Sequence, residues 1–213
     1  MGKLRLHWLP GTAAMAPHAA LAEIGVEYEL VRVQRDESGQ SSPEYLALNP
    51  SGRVPTLEDG ELVLTESAAI LLYLADRYPD ARLAPPDRAD LYRWLIFLTN
   101  TVQAALTRFI YPERYGGDGV RDAAAAELRE HFTRLEAQLE GRAWLVGEHR
   151  TAADLFLFML TRWGRRLDPP AWDAANLRAH FLRTLALPGV RRMVDEQGLE
   201  LPAWSSDSPP RHD

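Results

Sequence analysis

Residues 54–70 of the chain have the sequence VPTLEDGELVLTESAAI. Two short apolar runs flank Asp59 and Gly60, a pair that favours a two-residue β-hairpin turn. Helical spacing follows in residues 67–77 and ends before Pro79, because the residue before a proline disfavours the helical conformation. The stretch therefore predicts an antiparallel hairpin followed directly by a helix.

The residues before this hairpin predict a strand, a helix and a second strand. Residues 4–8 alternate as a half-buried strand does. Residues 13–24 favour a helix that Gly25 ends as a C-cap glycine, and residues 28–33 are rich in β-branched side chains, which favour strands. A short helix is predicted at 43–48. The order βαβ then ββα, with a right-handed crossover between parallel strands, is typical of the thioredoxin-like fold.

Helical patterns dominate the chain beyond a proline-containing segment. Thr151 and Asp154 form an acidic version of the capping box in front of an apolar run, so both are expected to be structural. The other predicted helices in this region include residues 91–102, 128–139, 176–185 and 189–197.

The fold class predicted from these patterns is α+β, with two domains. Residues 1–79 are expected to form the thioredoxin-like domain and residues 80–86 a linker. Residues 87–205 are expected to form an all-α helical bundle. The Ser- and Pro-rich residues 206–213 are expected to fray.

The composition excludes several classes of protein. The chain has 213 residues, of which 46% are hydrophobic and 25% charged, as in globular proteins. Its net charge of −6 argues against nucleic-acid binding, which needs a basic face. It has no cysteine, which excludes disulfides, thiolate metal sites and a protein thiol as nucleophile.

Neither a metal site nor a membrane segment is expected. The histidines are scattered, without the i, i+4 spacing of a helical metal site. The longest strongly apolar stretch, residues 155–160, is far too short to span a bilayer. The first ten residues have no signal-peptide pattern. A cytoplasmic location is expected, and the absence of cysteine fits it.

Four motifs together resemble the cytosolic glutathione S-transferase superfamily. The first, LPGTAAMAPH at 9–18, is similar to the first turn of bacterial beta-class and delta/theta-like enzymes. The others are NPSGRVPTL at 49–57, LTESAAI at 64–70 and GEHRTAAD at 147–154. Their order and spacing cover nearly the whole chain, so the resemblance implies the fold and the chemistry of that superfamily.

The resemblance implies that glutathione is bound as a co-substrate. It assigns the γ-glutamyl carboxylate to Ser67 and the neighbouring ammonium group to Glu66. It places Val54 and Pro55, joined by a cis peptide bond, against the cysteinyl backbone of glutathione, as an added strand would lie. Arg53 would contact a carboxylate. Alternatively, Glu66 and Ser67 only cap a helix and Arg53 is a solvated surface residue.

The residue that activates the thiol is the central question. The beta-class cysteine aligns with Ala13, and the tyrosine of other classes aligns near Trp8, so both usual groups are absent. Thr12 aligns with the catalytic serine of delta/theta-like enzymes, and its hydroxyl could stabilise a thiolate. Alternatively, Thr12 only caps the first helix, and backbone N–H groups stabilise the thiolate.

The resemblance implies a second pocket, between the domains, for a small hydrophobic electrophile. Residues of the helical domain could line it, although aromatic side chains at helical spacing also occur in cores. The candidates are Asn100, Gln103, Arg108, Phe109, Tyr111 and Trp163.

The predicted function is that of a glutathione transferase, a homodimer that detoxifies electrophiles by attack of a glutathione thiolate. Two alternatives use the same fold. One is a non-catalytic glutathione-binding or scaffold protein, which the missing cysteine favours. The other is a glutathione-dependent peroxidase, which needs the same thiolate.

Overall fold

The computed structural model of the protein describes residues 3–37 and 39–206. These residues form two compact units. The first unit runs up to Ala81 and also includes the later segment Leu187–Pro202. The second unit runs from Arg82 to Ala186 and includes residues 203–206. No helix in this described part is both long and apolar enough to cross a membrane.

The first unit is built on a mixed sheet. Its strands are β1 (Leu4–Trp8), β2 (Tyr28–Arg32), β3 (Thr56–Asp59) and β4 (Leu62–Thr65). Their order in the sheet is β2-β1-β3-β4, in which β1 and β2 are parallel and β3 is antiparallel to both of its neighbours. This topology confirms the predicted βαβ-ββα order. The strand β3 begins at Thr56, after Pro55, which has no N–H to donate to a ladder.

Three helices accompany this sheet along the chain: α1 (Met15–Ile24), α2 (Pro43–Leu48) and α3 (Ser67–Arg77). Gly25, with φ of 77°, donates its N–H to the Leu21 carbonyl and ends α1 as predicted. The helix begins two residues later than expected, because the preceding residues form a turn in which the Met15 N–H donates to the Thr12 carbonyl at 3.0 Å.

The second unit is helical, as predicted. Its helices are α4 (Ala89–Phe97), α5 (Ala104–Ile110), α6 (Asp118–Gln138), α7 (Ala152–Trp163) and α8 (Ala175–Leu185). A π-helical segment, Leu98–Gln103, joins α4 to α5. Every residue of α7 from Ala152 to Arg162 is buried, so α7 lies at the centre of this unit.

The last helix, α9 (Pro188–Gln197), corrects the predicted domain boundary. The sequence placed it in the helical domain, but it packs against α1 in the first unit. The Gly189 N–H donates to Glu23 Oε1 at 2.6 Å. A Cβ atom on Gly189 would lie 2.4 Å from the Glu23 nitrogen, so only glycine permits this close approach. The predicted tail lies outside the described residues from position 207 onward.

The predicted capping box at the start of α7 is present and buried. The Thr151 N–H donates to Asp154 Oδ2 at 2.7 Å, and the Ala153 N–H donates to Thr151 Oγ1 at 3.3 Å. The other carboxylate oxygen of Asp154 accepts the Leu145 N–H at 2.8 Å and lies 2.9 Å from His180 Nε2. This carboxylate therefore joins the start of α7 to a loop and to α8.

Replacing Asp154 with alanine should lower the free energy of unfolding by about 3 kcal/mol or more, because it leaves several buried donors without a partner. Urea denaturation measures the effect. Asp173→Ala, which removes an exposed ion pair with Arg178, is the control and should change stability by less than about 1 kcal/mol. Equal effects of the two substitutions would contradict a structural role for the buried carboxylate.

Candidate functional site

The register of the sheet brings three of the predicted motifs to one edge. His7 of β1 pairs with Thr56 of β3, and Thr56 pairs with Thr65 of β4. Residues 9–12 follow β1, the Val54-Pro55 pair precedes β3, and Glu66 follows β4. Neighbouring strands lie about 4.8 Å apart, so the outer two motifs are separated by roughly 10 Å.

The loop before β3 is held from below by buried polar side chains. The Tyr45 hydroxyl donates to the Arg53 carbonyl at 2.6 Å, and the Asn49 side-chain amide donates to the same oxygen at 2.7 Å. Thr56 Oγ1 lies 2.9 Å from the Tyr45 hydroxyl and accepts from Asn49 at 3.1 Å. These bonds fix the backbone immediately before Val54.

The peptide bond between Val54 and Pro55 is cis, as the resemblance implied. Within the described residues, the backbone N–H and C=O of Val54 have no hydrogen-bond partner. The Arg53 side chain is exposed and forms no ion pair with another described residue. Backbone groups without a partner, beside a free guanidinium, can receive an extended peptide-like ligand.

The start of α3 is not capped by its own side chains. Glu66 is exposed and has a φ of 69°, which is rare for a residue with a side chain. Ser67 is 6% exposed, and neither its hydroxyl nor the Glu66 carboxylate makes a hydrogen bond to a described residue. The hydroxyl and the free N–H groups of this helix start can therefore bind a carboxylate.

The Thr12 hydroxyl is engaged within its own turn. It donates to the Leu9 carbonyl at 2.7 Å, and the Ala14 N–H approaches its oxygen at 3.4 Å. A threonine hydroxyl has a single proton. Donation to a ligand atom therefore requires Thr12 to rotate away from Leu9.

The predicted second-pocket residues all lie in the helical unit. Arg108 of α5 is paired with Glu127 of α6, so its guanidinium is not free. Phe109 is buried beneath Arg121, whose guanidinium carbon lies 5.1 Å from the ring centroid. Tyr111, directly after α5, is 43% exposed.

The other three candidates occupy two places in this unit. Asn100 is exposed and Gln103 half-buried, and both lie in the π-helical segment. Such segments are rare and are frequent at functional sites. Trp163 is half-buried at the end of α7.

Sequence reasoning missed the buried residues whose side chains form hydrogen bonds to the backbone of the candidate site. Tyr45 and Asn49 lie in a predicted helix and turn, with nothing local to indicate a shared partner. Gln197 accepts a hydrogen bond from the Gly11 N–H at 3.1 Å although the two residues are 186 positions apart. Only the folded chain brings them together.

The described residues offer no metal site. They contain no group of three or more His, Cys, Asp or Glu side chains that could hold an ion.

Comparison with known proteins identifies the family. The family model described as "Glutathione S-transferase, N-terminal domain" matches residues 3–76, and the corresponding C-terminal domain model matches residues 97–188. The chain belongs to the glutathione S-transferase family.

Full-length bacterial glutathione S-transferases are similar to the chain. Glutathione S-transferase GST-4.5 of Xanthomonas campestris pv. campestris is 32% identical, with 92% of this chain and 100% of that protein covered. The structure of a bacterial beta-class glutathione S-transferase from Sphingomonas chungbukensis matches with a TM-score of 0.82 and 33% identity, over 92% of this chain and 100% of that one. A sphingomonad glutathione S-transferase solved in complex with glutathione also matches, with a TM-score of 0.82, 32% identity and the same coverage. The predicted family and fold are confirmed.

Proposed function

We propose that the chain binds glutathione along the sheet edge formed by residues 9–12, Val54-Pro55 and Glu66, and activates it as a thiolate for attack on an electrophile. The observation that carries the proposal is the row His7, Thr56, Thr65, which brings the three motifs to one edge. That glutathione is present in the sphingomonad complex supports the choice of ligand.

The spacing of the edge suits a tripeptide. An extended chain rises about 3.3 Å per residue, so glutathione spans roughly the 10 Å between the outer motifs. The partner-free backbone of Val54 suits the cysteinyl residue, and Ser67 with the start of α3 suits the γ-glutamyl carboxylate. Glu66 would then contact the ammonium group. Arg53, which directly precedes Val54, would contact the other carboxylate of glutathione.

Activation of the thiol requires a donor near the first turn. A free thiol has a pKa of about 8.5, so only a small fraction is thiolate at pH 7. We assign the donor to Thr12, whose proton turns from the Leu9 carbonyl to the sulfur when glutathione binds. A hydrogen bond to the charged form lowers the pKa of the thiol.

The electrophile would be small and hydrophobic. Asn100, Gln103, Tyr111 and Trp163, with the half-exposed Arg108, are the residues of the helical unit proposed to contact it. The transferase names of the relatives favour conjugation over simple binding. A cytoplasmic location fits, because the cytosol keeps glutathione reduced.

Bound glutathione should ionise well below its free pKa, and Thr12→Val should abolish most of this shift, because valine keeps the shape but not the hydroxyl. Thr12→Ser is the matched control and should preserve it. Thiolate ultraviolet absorbance across pH, at saturating glutathione, measures both. Loss of the hydroxyl donor should reduce the transfer rate about 10²-fold or more.

Other results would point elsewhere. A lowered thiol pKa in Thr12→Val would assign activation to backbone N–H groups. Binding of glutathione as an ordinary thiol by the unmodified protein would support the non-catalytic alternative, which the existing bond from Thr12 to Leu9 favours. A substrate panel with peroxides and aryl halides separates peroxidase from transferase activity.

We also propose that the protein is a homodimer. Large apolar side chains are exposed on the strand β4, where Leu62 and Val63 are each 40% exposed, and on α4, where Ile96 is 57% exposed. The strand β4 is an outer strand of the sheet, with only β3 as its neighbour. Exposed apolar side chains on such a strand are usually covered by a partner.

Light scattering after size exclusion should give twice the chain mass of 24.0 kDa. Val63→Glu should shift the protein to the monomer, because a carboxylate would be buried without a partner. Tyr115→Glu, at a side chain that is 47% exposed elsewhere, is the control and should stay dimeric. A monomeric unmodified protein would refute the proposal.

A further inference from the structure

A series of side-chain hydrogen bonds joins the last turn of α9 to the turn that follows β1. The Gly11 N–H donates to Gln197 Oε1 at 3.1 Å, and Gln197 Nε2 lies 3.1 Å from His18 Nδ1. On the other side of the ring, His18 Nε2 lies 2.7 Å from Glu196 Oε2. His18 is fully buried and Gln197 is 5% exposed, so water does not replace these bonds readily.

The direction of every bond in this chain is fixed by its first member. A backbone N–H can only donate, so the Gln197 oxygen must face Gly11 and its NH₂ must face His18. The amide NH₂ can only donate, so His18 Nδ1 must accept and carry no proton. The single proton of neutral His18 is then on Nε2, where it donates to the Glu196 carboxylate.

The first donor in this series of hydrogen bonds, Gly11, lies in the turn that follows β1. Gly11 has a φ of 68° and lies next to Thr12, the proposed donor to the thiol. The opposite end of α9 is fixed to α1 by the Gly189 N–H bond to Glu23. The helix α9 is therefore attached at both ends, and its last turn contacts the turn at Gly11 and Thr12 through a hydrogen bond.

We propose that Gln197 and His18 are positioning residues that hold the turn at Gly11 and Thr12 in the geometry needed to activate glutathione. This inference rests on the proposed function, since it names the support of the same site. Neither residue touches the ligand; each acts through the next bond in the chain.

The series of hydrogen bonds from Gly11 through Gln197 to His18 is intact only while His18 is neutral. The groups that face the ring are Glu196, Gln197 and Arg192 of α9, Tyr28 of β2 and Trp8 of β1. Burial, the largest effect, lowers the pKa of His18 below 6.5, against the opposing hydrogen bond and charge of Glu196. A second proton, on Nδ1, would turn the ring from acceptor to donor and break the bond from Gln197.

The direction of the pH dependence follows from the lowered pKa of His18. Because the folded protein holds the pKa of His18 below the unfolded value of 6.5, the unfolded chain binds the proton more readily. The stability contributed by neutral His18 is therefore complete above about pH 6.5 and is lost as the pH falls below it. Protection of the Gly11 amide should decline over the same acid range.

Two substitutions at one position test the proposal. Gln197→Met keeps the size but removes both polar contacts. The Gly11 amide should then exchange hydrogen about tenfold faster in the ligand-free protein, and kcat/KM for glutathione should fall about tenfold. Gln197→Glu keeps an acceptor for Gly11, so it should restore amide protection.

The glutamate variant also has a signature that a merely structural role would not produce. A carboxylate can only accept, so it draws a proton onto His18 Nδ1. The pKa of His18, followed by ring ¹⁵N shifts, should rise relative to that of the unmodified protein. Gln138→Met is the matched control: Gln138 donates to the Leu145 carbonyl at 3.2 Å in the helical unit, and its loss should change none of these values.

Unchanged hydrogen exchange at Gly11 in Gln197→Met would show that Gln197 does not hold this amide, which would overturn the proposal. Faster exchange with unchanged kcat/KM and unchanged thiol ionisation would overturn the positioning role. Both results differ from failure of the proposed function, in which the unmodified protein would not bind glutathione at all while the exchange data still followed Gln197.

Discussion

The pairing of His7 with Thr56, and of Thr56 with Thr65, sets the register that brings the three motifs of the candidate site together. A one-residue slip in this register would turn every side chain of β3 to the other face and displace the attached motifs. Thr56 is fully buried, and its hydroxyl also takes part in the bonds with Tyr45 and Asn49. One residue therefore fixes both the sheet register and the loop that carries Val54.

Local chemistry explains why much of the fold could be predicted. The Asp59-Gly60 turn, the left-handed Gly25 and the capping box of Thr151 each need only a few neighbouring residues to act. The resemblance then supplied what local patterns cannot. It implied the cis bond before Pro55, and it assigned Glu66 and Ser67 to the same end of glutathione. In the structure these two side chains do not cap α3, which removes the simplest competing explanation for them.

Nonlocal packing explains what the sequence did not reveal. The helix α9 has an ordinary amphipathic pattern, so nothing in it indicates that Gly189 meets α1 or that Gln197 meets Gly11. The proton of Thr12 is a similar case, because its bond to the Leu9 carbonyl depends on the turn geometry. Sequence thus proposes which residues form the site, whereas the structure shows how their backbone is held and which of their hydrogen bonds are already made.

Amide NMR shifts on titration with glutathione test whether glutathione lies across the strand ends that carry the three motifs. We expect the largest shifts to fall on Thr12, Val54 and Ser67 together, with a single binding constant. Desthiol glutathione, in which alanine replaces the cysteine, should shift Val54 and Ser67 but leave Thr12 nearly unchanged. Shifts confined to other residues, or no shifts at saturating concentration, would show that glutathione does not bind along these strand ends.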